Sequence, residues 1–166
     1  AVAPDTVRDH AAACAWLLSR VRAWPHLAPP IAAGHRIVHG GQSFAQPVRL
    51  DQQTLRALAA LRPLAPLHQD AGLAGVEAVS RAWPGLPQVA CFDTAFHLDQ
   101  PAVAHTYPLP AALRQRGLRR YGFHGLSCEH SVQQLATSRP DLAGARLIVA
   151  HLGSGTSLTA IRDRRS

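Results

Sequence analysis

Residues 149–161, VAHLGSGTSLTAI, hold a glycine turn crowded with hydroxyls: Gly153, Ser154, Gly155, Thr156 and Ser157 follow an apolar run ending at Ala150. Such a turn can aim several backbone N–H groups and two or three hydroxyls at one point, which suits phosphate. No G-K-[ST] is present and a β-patterned run follows, so this is not a P-loop. Four segments upstream carry histidine: GHRIVHGG at 34–41, APLH at 65–68, CFDTAFH at 91–97 and RRYGFHG at 119–125. All but APLH place histidine, arginine or aspartate beside glycine or an aromatic ring.

Taken singly, these residues leave alternatives open. Arg36 lies on a strand-like run that feeds the Gly40-Gly41 turn. Its guanidinium is either a surface charge or a rigid fork for a carboxylate or phosphoryl group. Asp93 follows the apolar run 88–92, and in open α/β sheets ligands bind at the carboxyl ends of strands. Its carboxylate there holds magnesium or magnesium-bound water, orients an acyl nucleophile, or caps a helix. His124 is either a structural histidine or a donor to phosphoryl oxygens in transfer. A rival reading groups His35, His39, Asp93 and His97 around zinc for hydrolysis. Against it, no H-E-x-x-H occurs and Arg36 beside a metal is unfavourable. A non-catalytic nucleotide-binding fragment is the other alternative.

In order and spacing, the segments resemble the acetate kinase (acetokinase/propionate kinase) family. His35-Arg36-Ile37-Val38-His39-Gly40-Gly41, Phe92-Asp93-Thr94-Ala95-Phe96-His97 and Tyr121-Gly122-Phe123-His124-Gly125 stand as that family writes them. The resemblance runs from about Gly34 to Ser166. It implies an α/β protein with the ribonuclease H-like fold of the actin-like, sugar-kinase-like ATPase superfamily, here incomplete. It also implies ATP-dependent phosphoryl transfer to acetate or propionate, directly and in line, giving acyl phosphate and ADP. ATP/ADP and Mg2+ are the implied cofactors.

The resemblance implies roles as well. Arg36, Asp93 and His124 are the catalytic set. Arg36 binds the substrate carboxylate, while Val38, Leu67 and Phe123 form a small pocket around the acyl methyl. His151, Leu152, Gly153, Ser154 and Gly155 hold nucleotide phosphate, with His68 nearby; metal ligands stay unassigned. The implied partners are acetate or propionate and ATP, with no nucleic acid and no membrane, and a homodimer at full length. Three departures stand out: Ser154 replaces an asparagine, Gln69-Asp70 replace Asn-Pro, and Leu126 and Cys128 replace a threonine and a histidine.

Composition agrees with a cytoplasmic globular chain. All 17 basic residues are arginine, and lysine, asparagine and methionine are absent. These three have A-rich or AT-rich codons, so a GC-rich genome explains the +7 charge better than nucleic-acid binding does. No apolar run approaches a membrane span, and three scattered cysteines do not form a disulfide framework. The absent methionine and missing family segments lead us to expect a fragment of a longer enzyme. Its expected division is 1–145, most of the acyl-substrate domain, and 146–166, the first hairpin of the nucleotide-binding domain.

The elements that must position these residues follow from periodicity and punctuation. Helices are expected over 5–24, over 51–61 with Asp51 as cap and Leu55, Leu58 and Leu61 inward, over 71–83, and over 125–138. Strands are expected over 31–38 and 88–92, with a final hairpin from 146–151 and 157–162. Residues 101–110, with three prolines, read as irregular, and 113–117 as a short helix or turn.

Overall fold

The Asp9 carboxylate accepts from the Ala12 N–H at 2.7 Å and caps helix α1 (His10–Arg22). Residues 9–166 are those described by the computed structural model, so the expected helical residues 5–8 lie outside them. Two compact units result: the described part of Ala1–His39 with Pro47–Cys91, and Gly40–Gln46 with Phe92–Ser166.

In the first unit, strands β1 (Ala33–Ile37), β2 (Val48–Arg49) and β3 (Gln88–Phe92) form one sheet in the order β1-β3-β2. β2 runs antiparallel to β3, with Val48 opposite Ala90 and Arg49 opposite Val89. Asp51 caps helix α2 (Gln52–Ala60) by accepting from the Thr54 N–H at 2.7 Å, as its sequence position suggests. Of the three expected inward leucines only Leu58 is fully buried, and Thr54 shares that face.

Helix α3 (Pro66–Ala82) begins well before residue 71. Proline at the first helical position lacks only an N–H that would be orphaned anyway, so Pro66 starts the helix. Leu67 and His68 therefore sit on its first turn rather than in a loop. α3 packs on α1 and on β1. The approach to β1 is close: a Cβ on Gly72 would lie 3.0 Å from Ile37 Cδ1. Ile37, Leu58, Leu73, Val76 and Ala90 make the core.

Gln69 is buried in the same unit. Its Oε1 accepts from the His39 N–H at 3.3 Å, while Nε2 donates to the carbonyls of His39 and Leu58, each at 3.1 Å. One side chain thus ties α3 and α2 to the chain leaving β1. The Gln69 departure is absorbed by the fold, and Asp70 beside it is exposed and paired with Arg62.

The second unit opens where β3 ends. A 3-10 turn (Ala95–His97) leads to helices α4 (Ala102–His105) and α5 (Ala111–Gln115). The stretch 101–110 is therefore not wholly irregular, because Pro101 immediately precedes one helical turn, where its missing N–H costs nothing. Helix α6 (Gly125–Ser138) follows, then strands β4 (Leu147–Leu152) and β5 (Thr156–Ile161). They pair antiparallel from Leu147 opposite Ile161 to Leu152 opposite Thr156.

α6 packs against β4 and the Ala95–His97 turn. Phe92, Cys128, Val132 and Ile161 form the buried core here. The other hairpin face leaves Ile148, Leu152 and Leu158 more than 70% exposed. Among the described residues, no helix is long and apolar enough to cross a membrane.

Candidate active site

His124 precedes α6 with φ 58° and ψ 24°, the left-handed region. A side chain there costs about 1–2 kcal/mol, so the surrounding structure must hold it. Gly125 supplies part of that hold: its N–H donates to the Asp93 carbonyl at 2.8 Å. A Cβ on Gly125 would collide with the same oxygen, so only glycine lets α6 start so near Asp93. The Asp93 residue itself is 2% exposed, and its neighbour Thr94 accepts from the Gly40 N–H at 3.0 Å. The Ala95–His97 turn has Thr94 at its N-cap position, without a side-chain cap bond.

The His124 ring is fixed from two sides. Its Nδ1 is 3.0 Å from Ser157 Oγ, and its plane stacks on that of His151. His151 in turn has Nδ1 3.0 Å from Ser127 Oγ. The glycine turn lies against these rings. A Cβ on Gly155 would sit 3.2 Å from His124 Nε2, and one on Gly153 would sit 3.4 Å from His151 Nε2. The Gly153 N–H donates to the Gly155 carbonyl at 3.1 Å and closes the turn. Leu152 and Ser154 are exposed there.

His97 buttresses this group from within. It is buried, with Nε2 3.0 Å from the Phe123 carbonyl and Nδ1 2.7 Å from Ser166 Oγ. A carbonyl only accepts, so Nε2–H donates. Burial holds its pKa below the ordinary value, with the Phe123 carbonyl and the Asp93 charge acting in opposition. With both nitrogens engaged, His97 is no metal ligand. The Nε2 of His35 is likewise occupied, 2.7 Å from Gln88 Oε1. Among the described residues no three His, Cys, Asp or Glu side chains gather to hold a metal, so the zinc reading has no donor set.

The remaining predicted residues divide between the units. Arg36 is exposed on β1, Val38 is half-buried just after it, and Leu67 is 86% exposed on the first turn of α3, next to exposed His68. Phe123 belongs to the second unit and is half-buried. In that unit, His124, His151, Gly153 and Gly155 come together around one turn, with Asp93 behind Gly125. Sequence alone gives no sign of Ser127, marks Gln69 only as a departure from the family pattern, and shows Ser157 only as one hydroxyl of several. Cys128, in place of a histidine, is buried with Sγ 3.5 Å from Thr159 Oγ1 and keeps a weak polar link between α6 and β5.

A sequence profile of the Acetokinase family matches residues 2–166. The chain belongs to the acetokinase family. It is 48% identical over 150 residues to the acetate kinase of Methylocella silvestris, covering 88% of this chain and 37% of that protein. To the acetate kinase of a Synechococcus species it is 49% identical over 144 residues, covering 86% of this chain and 36% of that one. The fold agrees. The crystal structure of Porphyromonas gingivalis acetate kinase superposes with a TM-score of 0.84 at 35% identity, over 95% of this chain and 41% of that one. A propionate kinase from Francisella tularensis gives 0.85 at 38% identity, over 93% and 40%. This α/β chain thus has part of the actin-like, sugar-kinase-like fold of the acetokinase family. It spans little more than a third of the length of the relatives it matches.

Proposed function

We propose that this chain contributes the acyl-substrate part and a nucleotide-phosphate turn to an ATP-dependent kinase acting on acetate or propionate. The observation that carries this reading is the cluster of His124 and His151 against the Gly153–Gly155 turn, in a chain of this family. A carboxylate oxygen of the acid attacks the γ-phosphorus in line, and the bond to the ADP oxygen breaks. Acetate is already ionised at neutral pH, so no strong base is required. Charge stabilisation and positioning are what remain. His124 donates toward the equatorial phosphoryl oxygens, Arg36 binds the acid's carboxylate and the transferring group, and the turn with His151, Leu152 and Ser154 holds nucleotide phosphate. Val38, Leu67 and Phe123 surround the acyl methyl, where each methylene is worth about 1–3 kcal/mol of discrimination.

Asp93 suits magnesium. That ion typically takes one or two carboxylates and completes its shell with phosphate oxygens and water, and Asp93 is a single buried carboxylate at a strand's end. When bound, magnesium neutralises phosphate charge. We further assign 1–145 to the acyl-substrate domain and 146–166 to the start of the nucleotide-binding domain, in a cytoplasmic homodimer at full length. The test is a chimera in which this chain replaces the matching segment of the Methylocella silvestris acetate kinase, assayed for acyl phosphate with hydroxylamine. ATP- and acetate-dependent product supports the reading, and a folded chimera without it refutes the reading.

A further inference from the structure

Ser127 and Ser157 stand on different elements, the first turn of α6 and the second residue of β5. Each nevertheless meets the Nδ1 of one ring in the His124–His151 stack, at 3.0 Å in both cases. The Nε2 atoms of the same rings face the glycine turn, as the Gly155 and Gly153 distances require. The pair is therefore gripped on one edge by two hydroxyls and presented to the turn on the other.

We infer that Ser127 and Ser157 are positioning residues: each donates its hydroxyl proton to Nδ1, so that the uncharged imidazoles of His124 and His151 carry their proton on Nε2, aimed at the turn. This deepens the proposed phosphate site and rests on that reading. A neutral imidazole has one N–H and one lone pair, and the partner at one nitrogen decides the other. A serine hydroxyl serves as donor or acceptor, so the ligand side settles the sense. Phosphate oxygens accept, and a bare Nε2 lone pair would repel them. The two rings stack with centroids 4.1 Å apart and planes within 17° of parallel. Tautomer then supplies two near-parallel donors. Such outer partners fix ring orientation at metal-bound histidines in the same way.

The test uses the 166-residue chain with 15N-labelled histidine, at a pH above imidazole titration, with no nucleotide present. Long-range 1H–15N spectra distinguish a protonated from an unprotonated ring nitrogen, and His124→Gln and His151→Gln identify the signals. We expect Nε2–H with an unprotonated, hydrogen-bonded Nδ1 at both residues. Ser157→Ala should move the His124 nitrogens toward averaged tautomer positions and Ser127→Ala those of His151, with Ser→Thr restoring each. Nδ1–H in the unsubstituted chain at either histidine overturns the inference. So does a folded alanine variant with unaltered nitrogens. Should an alanine variant fail to fold, the unsubstituted chain and the threonine variants decide by the same signals. Because the spectra need no turnover, an inactive chimera with Nε2–H at both histidines would sink the kinase reading and leave this one standing.

Discussion

The imidazole of His124 lies flat on that of His151, ring centroids 4.1 Å apart and planes within 17° of parallel. The two are 27 positions apart in sequence, one ahead of a helix and one near the end of a strand. Only the packing of α6 on β4 unites them.

Removing the first ring should expose its role in transfer. In the chimera, His124→Ala is expected to lower kcat by about 10²–10³, the scale for one lost transition-state donor, with little change in the KM for acetate. Steady-state kinetics check this; an intact kcat would make the histidine structural.

Arg36→Ala should behave differently. Its guanidinium is assigned to both ground and transition states, so kcat falls and the KM for acetate rises together. A change in KM alone would restrict Arg36 to binding.

Ser154→Asn tests the departure in the phosphate turn. A serine hydroxyl is shorter than an asparagine amide and offers a single donor. Asparagine is expected to improve ATP use by up to about 1.5–3 kcal/mol, one hydrogen bond to a charged group, leaving acetate affinity level. An unchanged or poorer KM for ATP together with an unchanged kcat would mean the turn is built around serine.

Two glycines should respond oppositely to alanine. Gly125→Ala puts a methyl into the Asp93 carbonyl and should destabilise the chain by about 1–3 kcal/mol, the range for overpacking. Gly75, within α3, has open space around its missing Cβ. Alanine there should stabilise by about 0.4–1 kcal/mol. Denaturant melts of both variants measure the contrast, and equal shifts would contradict it.

Acid should weaken the fold in a defined window. Burial holds the pKa of His39 and His97 below the ordinary 6.5. The unfolded chain then binds protons that the folded chain resists. Their contribution is complete above 6.5 and is lost as pH falls from there through the depressed folded values. Thermal melts at pH 7.5 and 5.5 should show a lower Tm at the acid point; equal values would contradict the burial argument.

Much of this could be read from the residues because local chemistry was decisive. Asp51 announces its helix, and Gln88–Phe92 delivers Asp93 to a strand's end as the apolar run indicates. Elsewhere tertiary context ruled. Pro101 opens a stretch that reads as irregular, yet it stands where a helix starts, as Pro66 does. Gly75 and Gly125 look alike in sequence, and only the neighbouring carbonyl separates them. Ser127 is one serine among several until α6 sets it beside His151. The left-handed backbone of His124 is held in part by the Gly125–Asp93 bond, a tertiary contact that residue type does not announce.

The most direct test of the central claim is the hydroxamate assay on the chimera beside the isolated 166-residue chain. Acyl phosphate should form in the chimera only when ATP, magnesium and acetate or propionate are all present. The isolated chain, spanning 37% of the Methylocella silvestris protein, should form none. A folded chimera that makes no acyl phosphate, or product that forms without ATP, would contradict the account.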